Sequence, residues 1–357
     1  MSKHFATHGS QAFNDWMEDV TARLAREVEG VLGANLVALV LGGGYGRGEG
    51  GVVTAEGTEK PYNDLDFTLI VNDKSALPMA ELDAIRHRYE KEIGIDVDFS
   101  RPLTPNDVRH WPHWLMWVDL LEGHRVVAGK PDALASLAPP SLREPLPLIE
   151  GVRLMLNRGA GLLWAMRILR GAEAAPDADF VRRNYHKCAL AMGDMLVIAH
   201  GRHRTLYQGR SENLRALAAE NADVARFGVQ ELYDAALRFR LEPARTEEGK
   251  YDEEDLCELA RRWGSILVYA ETKRTGRSFA TIDEYVAWKG LREPEQSAPA
   301  QWPRNLVRNA QLGVLSWQYP RERLYRTLPV LLGLVPGDAA QWNTHSEQFL
   351  TVWKRFN

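Results

Sequence analysis

The sequence predicts an α/β (α+β) head built on a mixed sheet, followed by an all-helical second domain. Strand and helix signals alternate up to residue 129, and a proline-rich stretch (Ala138-Pro-Pro-Ser-Leu-Arg-Glu-Pro-Leu-Pro) then breaks the pattern. Beyond residue 148 the apolar spacing is helical almost throughout. The head is therefore drawn over residues 1–140 and the helical domain over 148–357, which a length of 357 residues accommodates as two domains of ordinary size.

Each element has its own warrant. Phe13, Trp16, Met17, Val20, Leu24, Val28, Val31 and Leu32 recur at helical intervals, with Ser10 as N-cap and Gly33 as the stop. That helix should pack on the apolar run Leu36 to Leu41, the first strand. Asp64 to Val71 reads as the second strand, residues 78–92 as the connecting helix, Ile93 to Phe99 as the third strand and Arg125 to Gly129 as a short fourth. Trp111, Trp114 and Trp117 stand at i, i+3 and i+6, the spacing of a buried helix face, within a tryptophan-rich helix over 111–122. Further helices are expected over 149–171, 178–200, 211–222, 228–240, 252–274, 282–289, 303–317, 320–333 and 345–355.

Composition excludes several classes of function. An apolar content of 45% and a charged content of 26% are those of a globular protein in water. The net charge of −4 provides no global basic field, which argues against nucleic acid as a partner. Cys188 and Cys257 have no C-x-x-C companion and form no disulfide framework, which fits a reducing cytoplasm. No membrane span is expected, because no run of 18 uncharged apolar residues occurs, and the first residues lack the apolar stretch of a signal peptide.

The chemistry concentrates between residues 36 and 99. An apolar strand empties into Gly42-Gly-Gly-Tyr-Gly-Arg-Gly-Glu-Gly-Gly51, and a second strand opens with Asp64-Leu-Asp66. On a strand, residues i and i+2 share a face, so Asp64 and Asp66 present adjacent carboxylates. Such a pair repels itself unless a cation lies between, and hard oxygen donors select magnesium. Glycine-rich backbone lets N–H groups close on phosphate oxygens. Ile93-Gly-Ile-Asp96-Val-Asp98-Phe99 repeats the apolar/acid alternation and adds a further carboxylate, Asp96 or Asp98.

Gly46 to Gly51 also satisfies G-x-G-x-x-G, but the dinucleotide fold needs a crossover helix there, and residues 52–63 are too short and too broken by Gly57 and Pro61 to form one. No G-x-x-x-x-G-K-[ST] loop and no H-R-D or D-F-G kinase element occurs. Arg47 reads as a phosphate contact, with Glu49 as its partner.

Gly43-Gly44-Tyr45-Gly46-Arg47-Gly48-Glu49 followed by Asn63-Asp64-Leu65-Asp66 resembles the signature of the DNA polymerase β-like nucleotidyltransferase superfamily. The glycine turn looks most like that of the uridylyltransferase domain of nitrogen-regulation enzymes. The resemblance covers residues 35–130 and departs in two places. The insert Gly51 to Pro61 lengthens the glycine-to-aspartate spacing, and Asn63 stands where serine is common. It implies a nucleotidyltransferase-type head in which an acceptor attacks the α-phosphorus of a nucleoside triphosphate and pyrophosphate departs. Asp64, Asp66 and a third carboxylate would hold two magnesium ions. The Phe-Ser after Asp98 resembles the family pattern, so Asp98 is the choice for the third and for the proton acceptor, with Asp96 in reserve.

Gly43, Gly44, Tyr45 and Arg47 are the expected nucleotide contacts. In the helical domain, Arg183, Lys187 and Asp194 fall near one face of a mostly apolar helix, and Lys187 with Arg183 is expected to meet the triphosphate. The expectation is a cytoplasmic, magnesium-dependent enzyme moving AMP from ATP onto a small-molecule acceptor. Its alternatives are transfer to a protein or RNA end, and a catalytically silent nucleotide-sensing module.

Overall fold

The chain was analysed as a computed structural model, which describes residues 4–55, 57–75, 77–243 and 250–356. It divides into two units. The first comprises Met1–Pro147 with two returning segments, Gly201–Asn213 and Asp234–Thr246; the second comprises Leu148–His200, Leu214–Tyr233 and Glu247–Asn357.

In the first unit, α1 (Gln11–Leu32) is capped by the Ser10 hydroxyl, which accepts from the Phe13 amide, and stops where Gly33 takes φ 50°. Then follow β1 (Leu36–Leu41), α2 (Gly43–Arg47), β2 (Val52–Ala55), β3 (Thr58–Pro61), β4 (Leu65–Val71), α3 (Met79–Ile93), β5 (Val97–Phe99), α4 (Pro105–Arg109), α5 (Leu115–Glu122), β6 (Arg125–Gly129) and α6 (Ala133–Leu137). The main sheet runs β5-β4-β1-β6, with β1 antiparallel to both neighbours and β4 parallel to β5, so it is mixed as expected. Period-2 alternation divides its faces. Leu39, Leu41, Leu65, Phe67 and Leu69 point into a core with Met17, Val20 and Leu24 of α1 and Leu82, Ile85 and Tyr89 of α3. Each such fully buried aliphatic side chain is worth about 1.5–3 kcal/mol. The intervening Asp66 is thereby turned to the opposite face.

The second unit opens with α7 (Leu148–Leu169) and α8 (Phe180–Ala199). The chain continues through α9 (Tyr207–Glu220), α10 (Ala222–Ala225), α11 (Gln230–Leu241), α12 (Glu253–Thr275), α13 (Ile282–Ala287), α14 (Trp302–Ala310), α15 (Glu322–Leu331) and α16 (Trp342–Phe356). The first turns of α9 and most of α11 belong with the first unit. Trp263 of α12 is buried at the centre of the second unit, its indole N–H donating to the Met155 carbonyl at 2.8 Å.

Three local readings need correction. The strand expected from Ile93 begins only at Val97, because α3 runs on to Ile93 and Gly94 caps it at φ 81°. The insert, too broken for a crossover helix, is the β2–β3 hairpin, with Val52 paired to Pro61 and Ala55 to Thr58. The tryptophan-rich helix begins only at Leu115, after Pro112, so Trp111 stacks on Trp117 from outside the helix at 4.2 Å. The helix expected over 303–317 ends at Ala310, and the chain folds back through Gly313 at φ 70°.

Candidate active site

The glycine turn is built against β4. The Gly42 amide donates to the Asp66 carbonyl at 2.8 Å, and α2 starts at the next residue. Gly43 has φ 60°, and a Cβ there would stand 2.4 Å from Asp66 Oδ2, so no other residue lets this carboxylate lie against the turn. Tyr45 is fully buried. Its hydroxyl donates to the Gly51 carbonyl at 2.6 Å and accepts from the Tyr62 amide at 2.9 Å. The Tyr62 amide also reaches the Gly51 carbonyl at 3.1 Å. These bonds close the hairpin at its base, so the insert leaves and rejoins the chain at one place. The long spacing between glycines and aspartates therefore does not separate them. The Tyr45 hydroxyl is committed to this clamp.

Asp64 stands just before β4, Asp66 within it, and Asp98 on β5 in direct register with Asp66. Paired positions on adjacent strands lie about 4.8 Å apart. Asp96 lies before β5, where its carbonyl accepts the Leu65 amide at 2.9 Å. All four acids are exposed. Asp66 is pushed up to about 6 by loss of hydration and then by the charges of Asp64 and Asp98, against the pull of Arg47 and Arg240. The residue keeps solvent access while protein packs behind its carboxylate, and the like charges push the same way as the packing. Among the described residues no three His, Cys, Asp or Glu side chains close into a ready-made metal cage. The donors form an open row of carboxylate oxygens, a set that suits a hard cation sharing its coordination with phosphate oxygens.

Cations meet this row from the expected Arg47 and from a part of the chain that sequence reasoning missed. Tyr207, at the start of α9, is ringed by three guanidinium groups: Arg210 and Arg240 each 4.3 Å and Arg47 5.6 Å from its ring centre. Buried Glu49 holds Tyr207 in place by accepting the amides of Tyr207 (3.0 Å) and Gln208 (3.3 Å) at the helix N-terminus. Glu49 thus caps α9 instead of pairing with Arg47. Arg210 is committed to Asp119, bonding both carboxylate oxygens at 2.8 Å. Burial alone would raise Asp119, but Arg210, His203 and Arg47 hold it well below the carboxylate range. Arg47 and Arg240 differ from Arg210. Among the described residues neither has an ion-pair partner, and the Nε of each is buried without a hydrogen bond. Arg47 is lowered by burial and then by Arg240. The Arg240 guanidinium lies beside Gly44, 3.6 Å from where a Cβ would be. Only the tertiary return of Asp234–Thr246 to the first unit brings it there, so no local sequence signal marked it.

The residues expected to assist from the helical domain lie on α8 of the second unit. Arg183 grips Asp177 with two 2.7 Å bonds, and Lys187 is exposed. Asp194 is buried rather than bordering the face, and accepts the Tyr233 hydroxyl at 2.8 Å.

No protein family matches the chain, and neither does any curated protein sequence. Among solved structures it is similar to a spectinomycin adenyltransferase from Enterococcus faecialis, determined with ATP and spectinomycin. That likeness has 14% identity, 70% of this chain and 98% of the other covered, and a TM-score of 0.40. It is also similar to a nucleotidyltransferase-like protein from Exiguobacterium sibiricum, with 13% identity, 83% and 92% covered and a TM-score of 0.24. Likenesses this distant carry no argument about activity.

Proposed function

We propose that the protein is a magnesium-dependent nucleotidyltransferase that moves AMP from ATP onto a small-molecule acceptor and releases pyrophosphate. The observation that carries this reading is the row Asp64, Asp66 and Asp98, whose side chains have no hydrogen-bond partner among the described residues, set against the bare Cα of Gly43 and the unpaired Arg47 and Arg240. Asp64, Asp66 and Asp98 would hold magnesium, with Asp96 in reserve. When bound, a divalent cation neutralises triphosphate charge and activates the acceptor.

The remaining roles belong to the chain's own groups. Gly43 and Gly44 let backbone approach the phosphates, and Arg47 and Arg240 offer guanidinium donors to the β- and γ-phosphates. Lys187, backed by Arg183, is a second triphosphate contact in this proposal. The acceptor oxygen attacks the α-phosphorus, its proton passes to Asp98, and the bond to the β-phosphate oxygen breaks as pyrophosphate leaves.

Pyrophosphate release with each of the four triphosphates, alone and with a metabolite extract, tests the reading, and mass spectrometry of the products identifies the acceptor. ATP binding without release under any condition would make the protein a sensor. Label transferred only to protein or RNA would replace the small-molecule acceptor.

A further inference from the structure

One helix of the second unit is built inside out. The residues that α14 buries are polar, Asn305 and Asn309, while Trp302, Leu306 and Val307 face solvent at 40%, 44% and 59% exposure. The amides do specific work. Asn305 donates to the carbonyls of Gln296 (2.8 Å) and Trp317 (3.2 Å), and Asn309 to those of Ser316 (2.9 Å) and Gln318 (2.8 Å). They fasten the following loop back along the helix. The Trp317 ring comes to rest 5.0 Å from Trp302, and Val314 and Leu315 are left exposed, Leu315 at 92%. Scattered apolar residues on a surface need no explanation, but six gathered by buried amide anchors do.

We propose that this face is the dimerisation surface of the protein, and that its occupant is a second copy of the same chain, with the two α14 helices antiparallel across a two-fold axis. Area supports the assignment. From their exposures, the six side chains present on the order of 500 Å² of apolar surface. A standard interface buries about 800 Å² per partner, a little over half of it apolar. Charge supports the orientation. At the start of α14 exposed Glu295 offsets exposed Arg304 of the first turn, whereas the far end of the helix carries Arg308 and, bonded to Gln311, exposed Arg355. A two-fold axis through the middle of α14 sets this charge-balanced end of one copy against the basic end of the other, whereas a parallel arrangement would oppose the two basic ends.

The test is the mass of the full chain in solution, by light scattering across a dilution series. The wild type should run at twice the 40.3 kDa chain mass. Leu306→Glu and Leu315→Glu should each weaken association by about 10- to 100-fold, with unchanged circular dichroism because neither side chain is in the core. Glu295→Arg should weaken it less, and adding Arg355→Glu should restore it. A wild type that stays monomeric at about 100 μM, or a dimer untouched by both glutamate variants, would overturn the proposal. A dimer weakened by Leu306→Glu without the charge-swap rescue would overturn the antiparallel arrangement.

Discussion

The two units treat buried charge in opposite ways. In the second unit Glu293 is wholly enclosed and fully answered: Arg153 donates at 2.8 and 3.2 Å, Arg321 donates through two nitrogens, and the Tyr325 hydroxyl donates at 2.9 Å. Burial alone would raise this carboxyl, but the two arginines hold it below the usual range. In the first unit Asp66 sits among like charges and is raised, while among the described residues Arg47 and Arg240 have no ion-pair partner and bury an Nε without a hydrogen bond. Desolvated charge is costly unless paired, so a fold tolerates such groups where a ligand completes them. The same two residue types are paired into structure in one unit and left unanswered in the other, and local pairing tells them apart.

The comparison can be broken in order of expected effect. Asp66→Asn should abolish turnover while leaving the fold intact, since a lost ligand costs several kcal/mol of transition-state stabilisation, about 10³-fold or more. Retention of a tenth of the wild-type rate would remove the carboxylates from the chemistry. Glu293→Gln should do the reverse. It should cost about 3–5 kcal/mol in urea unfolding by leaving the largely enclosed Arg321 without a carboxylate, while Arg153 keeps Glu150 at 2.6 Å, and equal stability would mean that the enclosed network is not holding the unit together.

Smaller effects sharpen the contrast. Arg240→Ala should weaken ATP about 10- to 150-fold, the worth of a charge-assisted hydrogen bond, while AMP changes little. Calorimetric titration with both nucleotides reads this, and equal losses would place Arg240 away from the β- and γ-phosphates. Lys187→Ala, at an exposed position, should show the same selectivity at about 10-fold or less.

The smallest effect depends on pH. Asp66 is raised in the folded chain, so its protonated form favours the fold. That contribution is complete below the unfolded value and is lost as pH rises through about 6. Asp66→Asn should therefore raise the melting temperature slightly at pH 8 and not at pH 4. Given its solvent access the gain is under about 1 kcal/mol. A gain at pH 4 and none at pH 8 would reverse the assigned direction.

What could be read in the sequence was whatever is written in consecutive residues. Alternation at period 2 carried β1 and β4 and turned Asp66 away from Leu65 and Phe67; Ser10 and Gly33 marked both ends of α1. The hairpin at Val52–Pro61 escaped because Gly57 and Pro61 look like breakers until the Tyr45 clamp closes its base. Asp96 and Asp98 were indistinguishable by spacing, and it is strand register that sets Asp98 beside Asp66. Tyr207 and Arg240 lie on helices that read as part of the second domain. Their return to the first unit is a property of tertiary packing and leaves no periodic trace.

That return also sets a timetable for synthesis. When Pro147 leaves the ribosome the whole mixed sheet has been made, yet Tyr207 and Arg240 are still to come. At about 5–20 residues per second, roughly 5 to 20 s pass before the nascent chain can supply Arg240. Through that interval the aspartate row has Arg47 beside it but neither Arg240 nor the Tyr207 ring against which both guanidinium groups lie, and a chain released early would carry the glycine turn and the aspartates without that second cation.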